Sequence, residues 1–194
     1  MIRKNSLHCK LIRINCSAKS LFEETMASFT PARAVCPSCN SSGNCRTHKT
    51  YDRYLVDYHH GRIETSVLKV TVIHCDSCGH YHAILPNVII PYRTYSLLFI
   101  LTVLDRYFSK QQTVRELCRS FEIEPPLLYR WITLFLQHRR LWLGILDAHI
   151  QSASEFLSTL LSQRFYSDFN MEFVRLTTAS FLQRHRSRYR QQVF

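Results

Sequence analysis

Hydrophobic and polar residues alternate along residues 62–74, and this stretch is rich in β-branched side chains. A two-residue period of this kind is typical of a β-strand. One predicted face carries Ile63, Thr65, Val67, Lys69, Thr71 and Ile73, and the other carries Glu64, Ser66, Leu68, Val70 and Val72. We predict that at least one face packs against other elements, because the stretch is too apolar to be fully exposed.

Two further strands are predicted on either side of this one. The composition of residues 51–58 favours a strand, and His59-His60-Gly61 favours a hairpin turn leading into residues 62–74. Residues 80–85 favour a third, short strand that ends before Pro86. Together these segments predict a small β-sheet within residues 31–90.

Beyond Pro91 the pattern of hydrophobic residues becomes helical. Residues 94–108 are apolar on nearly every side, which predicts a buried helix rather than a surface one. The aromatic residues of this region are predicted to belong to the core, and they are Tyr92, Tyr95, Phe99, Tyr107 and Phe108.

A short helix and a longer one are predicted next. Thr113 and Glu116 have the spacing of a capping box, which marks the start of a helix. Glu124-Pro125-Pro126 ends that helix and suits the first turn of another, which extends to about residue 140. A short helix, a tight turn and a second helix form the helix-turn-helix pattern, and the helix at 94–108 would complete its three-helix core. The predicted core residues of the second helix are Leu128, Trp131 and Ile132.

Residues 141–163 are amphipathic and predict a helical extension. Its candidate core residues are Leu146, Ile150, Phe156, Leu157, Leu160 and Leu161. The chain then ends in alternating arginines, which are Arg184, Arg186, Arg188 and Arg190. The predicted fold class is α+β, mostly α. Its parts are a basic, disordered leader (1–30) in which Met26 offers an alternative start, a zinc ribbon (31–90), a helix-turn-helix domain (91–140) and a helical extension with a basic tail (141–194).

The candidate chemistry lies in two cysteine pairs of identical spacing. Cys36 and Cys39 form one C-x-x-C motif, and Cys75 and Cys78 form a second. Two residues between cysteines allow a tight turn that directs both sulfurs at one ion, and strands between the pairs return the chain to it. Doubled C-x-x-C motifs are a specific signal for a closed tetrahedral zinc site. We therefore predict one structural zinc ion held by Cys36, Cys39, Cys75 and Cys78.

A rival arrangement with two zinc ions stays open from the sequence. Cys45 and His48 follow the first pair, while His80 and His82 follow the second, so that each motif could build its own four-ligand site. We prefer the alternative, in which these histidines and His74 lie at the surface or beside a ligand.

The charge of the chain favours an anionic partner. Its 25 Lys and Arg against 14 Asp and Glu give a net charge of +11, and an excess of this size most often accompanies nucleic-acid binding. There is no G-x-S-x-G motif, no phosphate-binding loop and no local cluster of carboxylates, so we expect no catalytic activity and no small-molecule substrate. We expect a cytoplasmic protein without a membrane partner, because neither a secretory signal nor an apolar run of about 20 residues is present.

If the helix-turn-helix binds DNA, its second helix would enter the major groove. Four of its residues are predicted to point toward solvent or the groove, namely Leu127, Tyr129, Arg130 and Thr133. Arg130 could reach a guanine edge or a phosphate, whereas Arg115 and Arg119 on the first helix suit phosphate contacts. A glutamate at position 124 is unusual in such a turn, because it repels phosphate.

The chain resembles an uncharacterised bacterial family, a domain of unknown function. The resemblance is carried by CPSC, GNC followed by His48, YLVDY, CDSCGHYHAILP, PYRTYSLLFIL and TVRELCRSFEI with LYRW, over residues 36 to about 146. FLQRH and RYRQ near the C-terminus are similar as well. The order of a zinc ribbon and then a helix-turn-helix is also similar to the N-terminal DNA-binding region of insertion-sequence transposases. That resemblance implies DNA binding, but this chain stops where their nuclease domain would begin.

The function expected from the sequence is that of a zinc-stabilised DNA-binding protein, transposase-like or regulatory, without catalysis. A homodimer is compatible with this interpretation. The alternative is a zinc-stabilised module that binds another protein, since the apolar stretches at 92–108 and 141–161 would suit a partner surface.

Overall fold

A computed structural model describes residues 2–4, 17–86, 89–146, 152–161, 173 and 180–183. Four strands form one sheet, namely β1 (Ile2–Lys4), β2 (Cys45–His59), β3 (Arg62–Cys75) and β4 (Tyr81–Pro86). The sheet order is β1-β4-β3-β2, with β2, β3 and β4 antiparallel and β1 parallel to β4. The three predicted strands are therefore confirmed, although β2 begins six residues earlier than the strand predicted from residue 51, and β4 includes Pro86, before which the third strand was predicted to end.

The turn between β2 and β3 follows from its local sequence. His60 and Gly61 both have positive φ values, of 48° and 77°, which fits the tight turns that match the twist of a hairpin. The pairing that starts at His59 and Arg62 continues along both strands until a bulge between Thr47 and Lys49. Beyond the bulge the register has shifted by one residue, so that Cys45 lies opposite Cys75.

The predicted alternation along β3 separates a buried face from a more exposed one. Leu68 and Val70 are buried with Leu55 of β2 and with Phe22, a residue of helix α1 (Ala18–Ala27). Along the centre of the opposite face, Val67 and Lys69 are exposed. Burial of one face against a helix explains why this strand carries more apolar residues than an isolated hairpin would.

Helix α1 corrects the expectation of a disordered leader at 1–30. Ser17 caps the helix by accepting a hydrogen bond from the backbone of Ser20, and Phe22 is buried against the sheet. Only one narrow face of this short helix is apolar. The hydrophobic pattern of the stretch is therefore weak, and the sequence did not predict the helix. Residues before Met26 thus contribute to the core, and leader residues 5–16 lie outside the described part of the chain.

The second half of the described chain is helical, with α2 (Leu97–Phe108), α3 (Val114–Ser120), α4 (Pro125–Leu146) and α5 (Ala153–Leu161). Helix α2 begins three residues later than predicted, because the Ser96 hydroxyl accepts a hydrogen bond from the backbone of Phe99 and caps it. The prediction that Tyr92 belongs to the core is wrong. Tyr92 is 90% exposed in the preceding loop and has a φ of 61°.

One apolar core joins these helices. Phe99 of α2, Phe121 after α3 and Trp131 of α4 pack with their rings 5.6–6.1 Å apart between centroids. Helix α5 adds three of its predicted core residues, which are Phe156, Leu157 and Leu160. Ile150 and the arginine tail at 184–190 lie outside the described residues.

A buried carboxylate connects the sheet to the start of two helices. Asp57 of β2 accepts a hydrogen bond from the backbone N–H of Ala18 at 2.5 Å and another from the Ser96 hydroxyl at 2.6 Å. Ala18 is the first residue of α1, and Ser96 caps α2. A negative charge is favourable at both positions because the N-terminus of a helix carries partial positive charge.

Two arginines reinforce the same junction. The Arg53 guanidinium of β2 donates to the backbone carbonyls of Ile90 and Arg93, which fixes the loop before α2. Arg106 of α2 donates to the Tyr58 hydroxyl at 3.1 Å and lies over the Phe121 ring at 5.0 Å from its centroid. The sheet and the helical core are therefore held by polar contacts as well as by apolar packing.

The turn between α3 and α4 is built from residues 121–124. The predicted capping box is present at its start, since the Thr113 hydroxyl and the Glu116 carboxylate bond each other's backbone N–H groups. At the C-terminus of α3 the backbone N–H of Ile123 donates to Cys118 O at 3.0 Å, while Glu122 has a φ of 50°. This is the arrangement in which glycine is normally preferred at the position of Glu122.

Replacing Glu122 by Gly is therefore expected to stabilise the protein. Glycine adopts a positive φ without the strain of a side chain, and the gain should be about 0.5–1 kcal/mol in the free energy of unfolding. Chemical denaturation of the full chain measures it. The exposed Glu23→Gly change in α1 is a control that should destabilise instead, because glycine weakens a helix interior. A loss of stability in Glu122→Gly would contradict the prediction.

Candidate metal centre

The two cysteine motifs fold into turns with the same hydrogen bonds. In the first turn the Asn40 N–H donates to Cys36 O at 2.8 Å, and the Cys36 N–H donates to Ser41 O at 2.9 Å. In the second turn the Gly79 N–H donates to Cys75 O at 2.8 Å, and the Cys75 N–H donates to His80 O at 2.9 Å. Asn40 and Gly79 have φ values of 59° and 72°, and asparagine and glycine tolerate this region best.

The turns bring four sulfur atoms together. Cys36 Sγ is 3.6 Å from Cys78 Sγ, Cys39 Sγ is 3.8 Å from Cys75 Sγ, and all four sulfurs lie within 4.8 Å of one another. A tetrahedral zinc ion with zinc–sulfur bonds of about 2.3 Å requires sulfurs about 3.8 Å apart. The four cysteines are close enough to hold one metal ion, and their spacing and sulfur chemistry are compatible with zinc.

The positions of the sulfur atoms favour one shared ion over the rival arrangement with two ions. The short sulfur–sulfur distances connect one turn with the other, as a shared ion requires. His48 and His74 instead pack against the exposed Tyr81 ring, each 4.7 Å away between ring centroids. Within the described residues, the group that could hold an ion consists of the four cysteines alone.

Hydrogen bonds and burial make the pKa values of Cys39, Cys75 and Cys78 differ. The hydroxyl of Ser41 bonds both Cys39 and Cys75, and it is the first cause of a lowered pKa at each, to about 5 for Cys75. The pKa of Cys78 is raised to about 12, because a lowering hydrogen bond from the backbone of His80 is outweighed by burial and by the neighbouring thiols. A cation that accepts electron density from all four sulfurs would favour the thiolate form of each, so that the thiols would no longer compete for protons.

His82 contacts the site without belonging to it. Its ring is buried, and Nε2 lies 3.3 Å from Cys36 Sγ. Burial lowers the pKa of this histidine, which favours the neutral ring whose N–H can donate to a thiolate. The preferred prediction of a histidine beside a ligand describes His82, whereas His48 and His80 are exposed.

Two residues near the sulfurs have roles that sequence reasoning did not assign. Ser41 bonds two of the four sulfurs, and only its position just after the first motif could have suggested this. Cys45 is buried in the same cluster as Cys36 and Cys75. Its spacing from the first pair suggested a ligand, but its proximity to Cys75 depends on strand register.

The six residues predicted to contact DNA lie on α3 and α4, whereas the four cysteines lie in turns beside β2 and β3. Five of them are exposed on α3 and α4, and these are Arg115, Arg119, Tyr129, Arg130 and Thr133. Leu127 is half-buried and packs against the helical core. As predicted, the opposite side of α4 is buried through Leu128, Trp131 and Ile132.

An open cleft of about 710 Å³ lies where α3 meets the start of α4. Arg115 and Arg119 line it together with Glu122 and Glu124. The acidic pair offsets part of the positive charge of the two arginines, so the cleft is of mixed charge rather than a uniformly basic surface.

Fold and site define an α+β protein in which a β-hairpin, with four clustered cysteines that could hold a metal ion, precedes a helical core. Residues 36–131 match the family model DUF6431, described as a domain of unknown function. The match runs from Cys36 to Trp131, and it includes all four clustered cysteines and helices α2 and α3. No curated protein and no solved structure matches the chain.

Among the helices in the described part of the chain, none combines the length and the apolar character that crossing a bilayer requires.

Proposed function

We propose that this protein binds DNA, that a single structural zinc ion stabilises it, and that it acts without catalysis. The observation that carries the proposal is the contrast between the two sides of α4. Tyr129, Arg130 and Thr133 are exposed on one side, while Trp131 and Phe135 anchor the other in the core. A rigid helix that presents polar and basic side chains is suited to a DNA groove.

The elements around α4 support a helix-turn-helix. Helix α3 is short, the turn at 121–124 is tight, and α2 contributes Phe99 to the core that α3 and α4 share. In this proposal α4 enters the major groove, Arg130 contacts a guanine edge or a phosphate, and Arg115 and Arg119 contact the backbone. The net charge of +11 supplies affinity that falls as salt concentration rises.

The metal centre has a structural role in this proposal. Four thiolates fill a tetrahedral zinc site and leave no position for a substrate, which is the pattern of folding sites rather than catalytic ones. The order of the two modules, similar to the N-terminal region of insertion-sequence transposases, favours either a transposase-like or a regulatory role on DNA.

Replacing Arg130 by Ala tests the proposal. We expect DNA affinity to fall about tenfold or more, since a contact to a base edge contributes about 1–3 kcal/mol. Binding of the zinc-loaded protein to duplex DNA is measured by fluorescence anisotropy over a range of salt concentrations. The matched control is Arg33→Ala, an exposed arginine next to the first cysteine turn, which should leave affinity almost unchanged.

The outcomes separate the parts of the proposal. Equal affinity of the parent and Arg130→Ala would contradict the assignment of α4 as the recognition helix. Absence of DNA binding by the zinc-loaded parent at low salt would contradict DNA binding altogether.

A protein-binding module is the second candidate, and one observation favours it. Tyr54 and Val67 are direct cross-strand partners, and they are 67% and 48% exposed. Exposed apolar pairs on a sheet face are suited to a protein partner. Retained binding of a partner protein by Arg130→Ala, together with its loss in Tyr54→Ser, would favour this candidate.

A further inference from the structure

Cys45 lies beside the metal centre, although it is not one of the four ligands. It is the first residue of β2, it is buried, and it belongs to the same apolar cluster as Cys36 and Cys75. In the strand register its direct partner is Cys75, which ends β3 and begins the second cysteine turn. One of the four metal ligands therefore faces a fifth cysteine across the sheet.

The hydrogen bonds around this pair fix the type of strand pairing. The Asp76 N–H donates to Asn44 O at 2.8 Å, so the neighbouring pair of 44 and 76 is hydrogen-bonded. The Cys75 N–H donates to His80 O instead of to Cys45. Pairs alternate along an antiparallel ladder, which makes Cys45 and Cys75 a non-hydrogen-bonded pair, the kind whose side chains are closest.

That pairing meets the geometric requirement for a disulfide. Non-hydrogen-bonded partners have Cα atoms about 4.5 Å apart. Disulfides form between residues whose Cα atoms are about 4.4–6.8 Å apart. Direct cross-strand partners point to the same face of a hairpin, so the two sulfurs lie on the same face. They can therefore be joined without a change in strand register.

We propose that Cys45 and Cys75 form an oxidation site, at which a peroxide converts the metal-bound state into a metal-free state with a cross-strand disulfide. The Cys75 thiolate attacks one oxygen of hydrogen peroxide, the O–O bond breaks, and hydroxide leaves. The Cys45 thiol then loses its proton and attacks the resulting sulfenic acid, the S–S bond forms, and water is released. Two thiols lose two electrons in total, and one peroxide accepts them.

The reaction has a direct consequence for the metal. A sulfur in a disulfide is not a thiolate ligand, so three ligands remain and the closed tetrahedral site is lost. The exposed Cys39 and the half-buried Cys78 leave one side of the sulfur cluster accessible to a small oxidant. This inference concerns the metal centre alone and does not depend on DNA binding.

The experiment is disulfide mapping of the full-length, zinc-loaded protein treated with about one equivalent of hydrogen peroxide. Remaining thiols are alkylated, the chain is digested, and linked peptides are identified by mass spectrometry. Zinc release is followed in parallel with a chromophoric chelator. We expect a peptide linking Cys45 to Cys75 that appears in step with zinc release, and recovery of zinc binding after reduction by a dithiol.

Two variants serve as comparisons. Cys45→Ala should bind zinc like the parent and lose the linked peptide. Cys118→Ala removes a cysteine that is equally buried but lies in the helical core, and it should oxidise like the parent. The disulfide map of the parent protein by itself shows whether Cys45 is linked to Cys75, so the proposal is tested even where a variant folds poorly.

Two results would overturn the proposal. One is complete zinc release while Cys45 remains open to alkylation. The other is a map that contains only links within the turns, from Cys36 to Cys39 or from Cys75 to Cys78.

Discussion

Replacing Asp57 by Ala is expected to destabilise the protein by about 3–5 kcal/mol in the free energy of unfolding. The carboxylate accepts hydrogen bonds from the Ala18 backbone and the Ser96 hydroxyl in a buried position. Hydrogen bonds to a charged group contribute about 1.5–3 kcal/mol each, and their loss leaves the buried donors unsatisfied. Because α1 and α2 both begin at this carboxylate, both helix starts lose their partner.

Two further variants make this prediction specific. Asp57→Asn keeps the shape and removes the charge, so we expect a smaller loss of about 1–3 kcal/mol, since an amide nitrogen cannot accept the Ala18 N–H. Asp52→Asn is the matched control, because Asp52 lies on the same strand, is exposed and pairs with Lys69 at 3.6 Å. It should change stability by less than about 0.5 kcal/mol.

Denaturant unfolding followed by circular dichroism measures all three variants. Equal stabilities of Asp57→Ala and Asp52→Asn would contradict the role that we assign to the buried carboxylate.

Loss of one metal ligand should have a still larger effect. We expect Cys36→Ser to lose its bound metal and most of its stability, because a structural zinc ion contributes about 10–16 kcal/mol in zinc-finger peptides. The whole free energy of unfolding of a domain is only about 5–15 kcal/mol. Without the ion, the two cysteine turns and the adjacent ends of β2 and β3 lose the contact that holds them together.

Metal content per chain and a thermal melt measure this effect. A strong chelator should lower the melting temperature of the parent in the same direction, and added zinc should restore it. Cys118→Ser is the control for replacing a buried cysteine remote from the sulfur cluster, and it should retain the metal. A Cys36→Ser protein that keeps its ion and its melting temperature would show that these sulfurs do not form the centre.

The sequence was most informative where structure depends on neighbours along the chain. The spacing of Cys36 with Cys39 and of Cys75 with Cys78 predicted two turns, and Thr113 with Glu116 predicted the capping box, because each involves residues only three positions apart. The buried positions Leu128 and Trp131 on α4 also followed from helical spacing. Each of these features is decided by local backbone geometry.

Contacts between distant residues were not predictable in this way. Asp57 is 39 residues from each of its two partners, and it resembles any other aspartate in a strand until the helices are placed around it. Tyr92 follows Pro91 in an apolar region and appeared suited to the core. Helix α2 begins only after its cap at Ser96, so Tyr92 lies in the preceding loop, where its ring is exposed to solvent.

What the sequence by itself determined is the two cysteine turns, the hairpin and helices α2, α3 and α4, since these depend on spacing, period and capping. Only the tertiary structure decided how the strand ends meet. The turn at His60 and Gly61 alone would align Cys45 with Asp76, and the bulge between Thr47 and Lys49 aligns it with Cys75 instead. A single extra residue in one strand moves every following pair by one position, and packing rather than local preference selects where that residue is placed.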